Sequence, residues 1–383
     1  MFDVHALSDL FSRNDVSLAV LEELFGSPET VRELLHGDRL PSLHEATLLG
    51  ALLGVDPTVL TGAKRPSLGV SLRLGTMRVE NDVAEAVEHA MKLLAADRLS
   101  TEWGFGAPTE DLSGFPVSRR RFKAKEDGRL TADRLRARLR LDPVDPIEDL
   151  TSIVDGLGHL VEYRPLPENV HGIAVPETRG IRRTWAVLIN SDDYWARQRF
   201  SLAHELSHIV YQDSGQFIVD RAQNENAFPE IVANSFARHF LLPDDALEEI
   251  LDDHGPSKDL RDVMHLVANI VLTYGISRQA TIKALRESDF QHVPALPLLD
   301  QCEREGVASM MAMVGASEIW SQMEQTRGRR CASAQLTDRV LGAFAGGLVS
   351  LATVADVIAN GDQSDAEKLL TAAGWDLRAN AEH

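Results

Sequence analysis

Residues 197–211 read RQRFSLAHELSHIVY, and the identity of the whole chain turns on this stretch. Phe200, Leu202, Ala203, Leu206 and Ile209 recur with a helical period. His204 and His208 stand at i and i+4, so they share one helix face and both imidazoles can reach a single metal ion. Glu205 lies about 100° round the helix from His204. From there its carboxylate can touch a water at the metal without serving as a ligand, which is the geometric content of HExxH. A carboxylate set among histidines on an otherwise apolar helix needs a reason, because buried charge is costly unless paired or metal-bound.

A catalytic zinc site takes three protein ligands and keeps one position open. The third ligand is expected downstream, where residues 229–243 read PEIVANSFARHFLLP. Pro229 opens a helix and places Glu230 in its first turn. Ala233, Asn234 and Ala237 follow on the same face, small enough for close packing on the HExxH helix. Asn234 is expected to orient a histidine ligand through a hydrogen bond. Glu225 and Asp220, in the preceding loop, are the rival ligands.

Outward from these helices, residues 159–164, 172–176 and 184–190 read as short strands, the last being an apolar run. Two helices are expected within 131–158, around Asp142-Pro143-Val144-Asp145-Pro146. Helices follow at about 194–213, 227–241 and 243–253, then two within 259–287, broken at Gly275-Ile276-Ser277. Residues 1–62 read as about five short helices, with Ser27-Pro28 as a helix start and Gly37 as a stop. A long amphipathic helix covers 78–98, and 99–118 reads as a loop before the basic residues Arg119, Arg120, Arg121, Lys123 and Lys125. The tail carries helical patterns near 298–304, 317–324, 336–344, 351–360 and 364–373. The expected layout is 1–64, 65–125, 126–290 and 291–383, in a mainly α chain with a small β-sheet (α+β).

The bulk composition bounds the function. A net charge of −19 argues against broad nucleic-acid affinity, without excluding a small local DNA reader. The two cysteines, Cys302 and Cys331, support neither a disulfide framework nor a cysteine metal site, and fit a reduced, cytoplasmic setting. The first ten residues lack the basic start and apolar run of a signal peptide. No apolar run reaches the roughly 18 residues that a membrane span needs.

HELSH followed by E-x-x-A-N-x-F-A-x-x-x-L-x-P resembles the ImmA/IrrE family of metallopeptidases. So do the approach at 132–163, the strand at His171-Gly172-Ile173, VLIN at 187–190 and the helix pair at 266–285. The resemblance spans about 130–288. It implies a gluzincin-like fold, Zn2+, and proteolysis of DNA-binding regulators or antitoxins. It makes His204, His208 and Glu230 the ligands and Glu205 the catalytic carboxylate. The N-terminal segment, clearest at 36–62, resembles an Xre-type helix-turn-helix module, a type commonly dimeric. Its expected recognition helix, near 28–35, offers Arg32, with Arg39 just beyond, as DNA contacts. Glu29 and Glu33 on the same helix would repel phosphate.

The expected reaction is hydrolysis of a peptide bond in a partner protein, a repressor or antitoxin-like regulator, with Glu205 as general base. Tyr211, His171 and His239 are the candidate second donors to the oxyanion. A substrate strand is expected to add to the sheet near 184–190. A second reading keeps the same ligands but makes the chain a DNA-binding regulator or antitoxin that binds its partner without turnover.

Overall fold

A computed structural model describes residues 18–25, 27–36, 43–53, 81–105, 112, 115, 123–179, 182–212, 218–221 and 228–375. The described residues form seventeen α-helices and one four-stranded sheet. Helices α1 (Leu18–Phe25), α2 (Pro28–His36), α3 (Leu43–Leu53) and α4 (Asn81–Ser100) come first, with a π-turn at Thr101–Phe105. Helices α5 (Ala124–Arg138) and α6 (Leu150–Gly156) lead into strands β1 (Leu160–Arg164), β2 (Val170–Arg179) and β3 (Arg182–Asn190). Helix α7 (Trp195–Tyr211), strand β4 (Ile218–Arg221) and helix α8 (Phe228–Leu241) follow. Next come α9 (Asp244–His254), α10 (Leu260–Tyr274), α11 (Arg278–Glu287), α12 (Leu296–Arg304), α13 (Val307–Met313) and α14 (Ser317–Met323). Helices α15 (Ala334–Ala345), α16 (Leu351–Ile358) and α17 (Gln363–Ala372) end the chain. The mainly helical class with a small sheet matches the expectation from sequence.

The sheet runs β1-β3-β2-β4, with β1 parallel to β3 and the other pairs antiparallel. Strand β3 is therefore central. The expected addition of a substrate strand along 184–190 is corrected by this order, because both sides of β3 already carry ladder hydrogen bonds. The outer strands are β1 and β4. The β1 edge is met by Cys331, which exchanges backbone hydrogen bonds of 2.8 and 2.9 Å with Tyr163.

Each face of the sheet buries its own core. Val161, Ala174, Trp185, Val187 and Ile189 face α7 and the helices behind it. Leu160, Val170, Ile173, Val175, Ala186 and Leu188 face a second core, built by α1 to α4 from one end of the chain and α15 to α17 from the other. The tail thus divides: Leu299, Cys302, Met310, Met311 and Trp320 pack into the first core, and Leu336, Val340 and Val354 into the second. At the edge of the second core the carboxylate of Glu162 is fully buried. It accepts from Arg330 Nε at 2.8 Å and Nη2 at 3.2 Å, with His89 Nε2 at 3.1 Å and Arg164 Nη1 at 3.7 Å.

Local chemistry explains the elements. Ser27 caps α2, accepting from the amides of Glu29 and Thr30. Gly275 ends α10 in the left-handed region at φ 66°, and Ser277 caps α11. Three differences from the sequence reading stand out. Helix α5 starts at Ala124 rather than near 131, running through Gly128, and the expected loop after 98 instead continues α4 to Ser100. Helix α13 lies in a stretch that the periodicity left unassigned.

Candidate metal centre

Helix α7 is held at both ends and buried along most of its length. No side chain of its own N-terminal turn caps it; instead Glu324 Oε1, from after α14, accepts from the amide of Trp195 at 2.6 Å. Gln198 Nε2 donates back to Ser191 O and Asp193 O at 3.0 and 2.7 Å. Arg199 donates to Glu148 O and Ile147 O and lies over the Trp195 ring. At the C-terminal end Gln212 takes the left-handed conformation at φ 50°.

Helix α8 packs on α7, and Ala233 and Ala237, the small residues expected at this contact, are fully buried. This brings Glu230 to the two histidines. His204 Nε2 is 3.0 Å from Glu230 Oε2, His208 Nε2 is 3.7 Å from Glu230 Oε1, and the two Nε2 atoms are 3.2 Å apart. His204 donates Nδ1–H to Asn234 Oδ1 at 3.1 Å, which leaves its Nε2 as a lone pair pointed at the other two donors. One cation held between these atoms would satisfy all three at once. Ligand atoms at about 2.0–2.2 Å from a tetrahedral zinc would sit roughly 3.3–3.6 Å apart, so the donor set fits a zinc ion. Among the described residues this is the one group of three such side chains close enough to share an ion. Both histidines are about 1% exposed, while the Glu230 side chain, 15% exposed, forms the outer wall.

Glu205 is fully buried and lies outside the donor group. Its carboxylate rests on the backbone of β2, where a Cβ at Gly172 would stand 2.7 Å from Oε1 and 3.1 Å from Cγ. A bulge between Val170 and Gly172 makes this contact possible. Regular alternation would put residues 170, 172 and 174 on one face, yet Val170 enters the rear core while Gly172 and Ala174 face α7. Asn190 Nδ2 secures the bulge by donating to Val170 O at 2.8 Å.

Each candidate oxyanion donor has a hydrogen-bond partner outside the donor group. Tyr211 donates its hydroxyl to Asp127 O at 3.0 Å and meets Thr131 Oγ1 at 2.7 Å, so it is bonded to α5. His171 Nδ1 is 2.8 Å from Asp193 Oδ2. His239 donates Nδ1–H to Ser235 O at 2.7 Å, with Asp244 beyond its Nε2. Burial alone would raise the Asp244 carboxyl, but His239 and Arg238 prevail and hold it well below the usual carboxylate range. Arg32 is exposed on α2, beside the exposed Glu29. Arg39, Glu225, the Asp220 side chain and the basic residues Arg119 to Arg121 lie outside what is described.

Sequence reasoning missed Gly172 as the floor under Glu205, Gly128 on α5 and the cap supplied by Glu324. The two glycines left a trace, since glycine inside a strand or helix marks close approach of another chain segment. The cap left none.

No helix among the described residues is long and apolar enough to cross a membrane. No curated protein matches the chain. Residues 154–286, which hold the donor group, match the family model described as the IrrE N-terminal-like domain of Peptidase_M78, so this stretch is similar to a metallopeptidase domain.

Proposed function

We propose that this chain is a zinc-dependent metallopeptidase-type regulator that hydrolyses a peptide bond in a partner protein. The observation that carries the reading is the division of labour at the centre. Three side chains converge as donors, and a fourth group, Glu205, lies buried beside them without joining the set. A purely structural zinc site would close its fourth position with a protein ligand.

Zinc, when bound, supplies Lewis-acid polarisation of the scissile carbonyl. His204, His208 and Glu230 would hold it, with Asn234 fixing the His204 tautomer. Glu205 accepts a proton from the attacking water as the new C–O bond forms. It returns that proton to the leaving nitrogen as the C–N bond breaks. Gly172 keeps the carboxylate against a rigid strand. Strand β4 is the outer strand next to β2, so an extended substrate segment can add there.

The test exposes a proteome-derived peptide library to zinc-loaded full-length protein and identifies new termini by mass spectrometry. Wild type should generate new termini and Glu205→Gln should not. No cleavage by a fully zinc-loaded wild type, or equal cleavage by Glu205→Gln, would contradict the reading.

A further inference from the structure

Helix α5 carries no ligand and lies outside the matched stretch 154–286, yet it touches both ligand-bearing helices. It grips α7 through Tyr211, three residues past His208. That hydroxyl is buried and bonded to Asp127 O at 3.0 Å and Thr131 Oγ1 at 2.7 Å. It grips α8 through Gly128, where a Cβ would stand 2.5 Å from Val232 O, 2.8 Å from Phe236 N and 2.8 Å from Ser235 Cβ. Ser235 Oγ also donates to Lys125 O at 2.6 Å. Glycine is a poor helix former, so its place inside α5 is explained by this backbone-to-backbone approach. The gripped segment of α8, residues 232–236, contains Asn234 and begins two residues after Glu230.

We infer that α5 is a splint for the metal centre, and that Gly128 and Tyr211 are positioning residues for its ligands. The depth at which α8 lies against α5 sets how far Glu230 and Asn234 stand from α7. The Tyr211 bonds fix α7 to the same support. Together they maintain the 3.0 Å approach of Glu230 to His204. The inference rests on the reading of His204, His208 and Glu230 as a metal site.

The experiment titrates cobalt(II) into metal-free full-length wild type, Gly128→Ala and Tyr211→Phe. It reads the visible ligand-field band at saturation and the dissociation constant by chelator competition. Melting of the metal-free proteins, followed by circular dichroism, runs alongside. Both variants should lose about tenfold or more in affinity, the scale on which groups supporting a ligand act. Gly128→Ala should also shift the band. Tyr211→Phe keeps the ring and its packing, so it remains informative if Gly128→Ala fails to fold. Lower melting temperatures with unchanged affinity and band would make α5 merely structural and overturn the inference. If wild type binds no cobalt, the metal-site reading fails and takes the inference with it.

Discussion

Gly172→Ala tests how tightly the Glu205 carboxylate is held. The added Cβ would stand 2.7 Å from Glu205 Oε1, 3.1 Å from Cγ and 3.3 Å from Cδ, where ordinary contact begins at 3.4 Å. Strand β2 cannot retreat easily, because Gly172 pairs with Ile189 on one side and Asp220 on the other. The carboxylate must therefore withdraw by about 0.7 Å, and a misplacement approaching 1 Å costs up to about 100-fold in rate. We expect kcat on a library-derived peptide to fall by about 10- to 100-fold, equivalent to about 1–3 kcal/mol of transition-state stabilisation. Zinc content should stay at the wild-type level, because Glu205 is outside the donor group. In a Glu205→Gln background the same substitution should add no further loss, since the group it displaces has already lost its base function. An unchanged kcat in Gly172→Ala would refute the claim that Gly172 positions Glu205.

His159 is buried with neither ring nitrogen partnered among the described residues, and burial pushes its imidazole down to about 4. Its contribution to stability is whole above its unfolded value near 6.5 and drains away as pH falls toward 4, by about 3 kcal/mol in all. Asp155, pushed up to about 6 by burial, acts in the opposite direction over the same window. The readable quantity is therefore the difference between wild type and His159→Phe in urea unfolding, which should move in favour of the variant as pH falls; a difference independent of pH would count against it. Arg330→Met should destabilise the fold by about 3 kcal/mol, because it strips the bidentate partner from a fully buried carboxylate. Most of that loss should vanish in a Glu162→Gln background, and full additivity in the double variant would argue against the pairing. Glu324→Ala should cost about 1 kcal/mol of stability, the usual worth of a helix cap, and unchanged unfolding would remove the cap from the account.

The parts legible in the sequence were those encoded locally. His204, Glu205 and His208 are placed by helix geometry over four residues, and Glu230 and Asn234 by their position on the next helix. The cap at Ser27 and the break at Gly275 to Ser277 were equally local. What escaped depends on partners distant in sequence. Strand order put β3 in the centre and left β4 outside, which no alternation within 184–190 could disclose. The bulge at His171 is decided by Asn190 and by which face Val170 must fill. Gly128 weakened the helix pattern before 131 because its purpose lies on α8, about a hundred residues later. Tail helices α15 to α17 read as an appended unit, yet their apolar faces complete a core begun by α1 to α4.

The central claim is that His204, His208 and Glu230 hold one metal ion while Glu205 serves it without binding it. The most direct measurement is the zinc content of purified full-length protein, comparing wild type with His204→Ala, Glu230→Ala and Glu205→Gln. The account predicts about one zinc per chain in wild type and in Glu205→Gln, with loss in both ligand variants. A wild type that holds no zinc even when the metal is supplied, or a Glu205→Gln variant that loses it, would contradict the account.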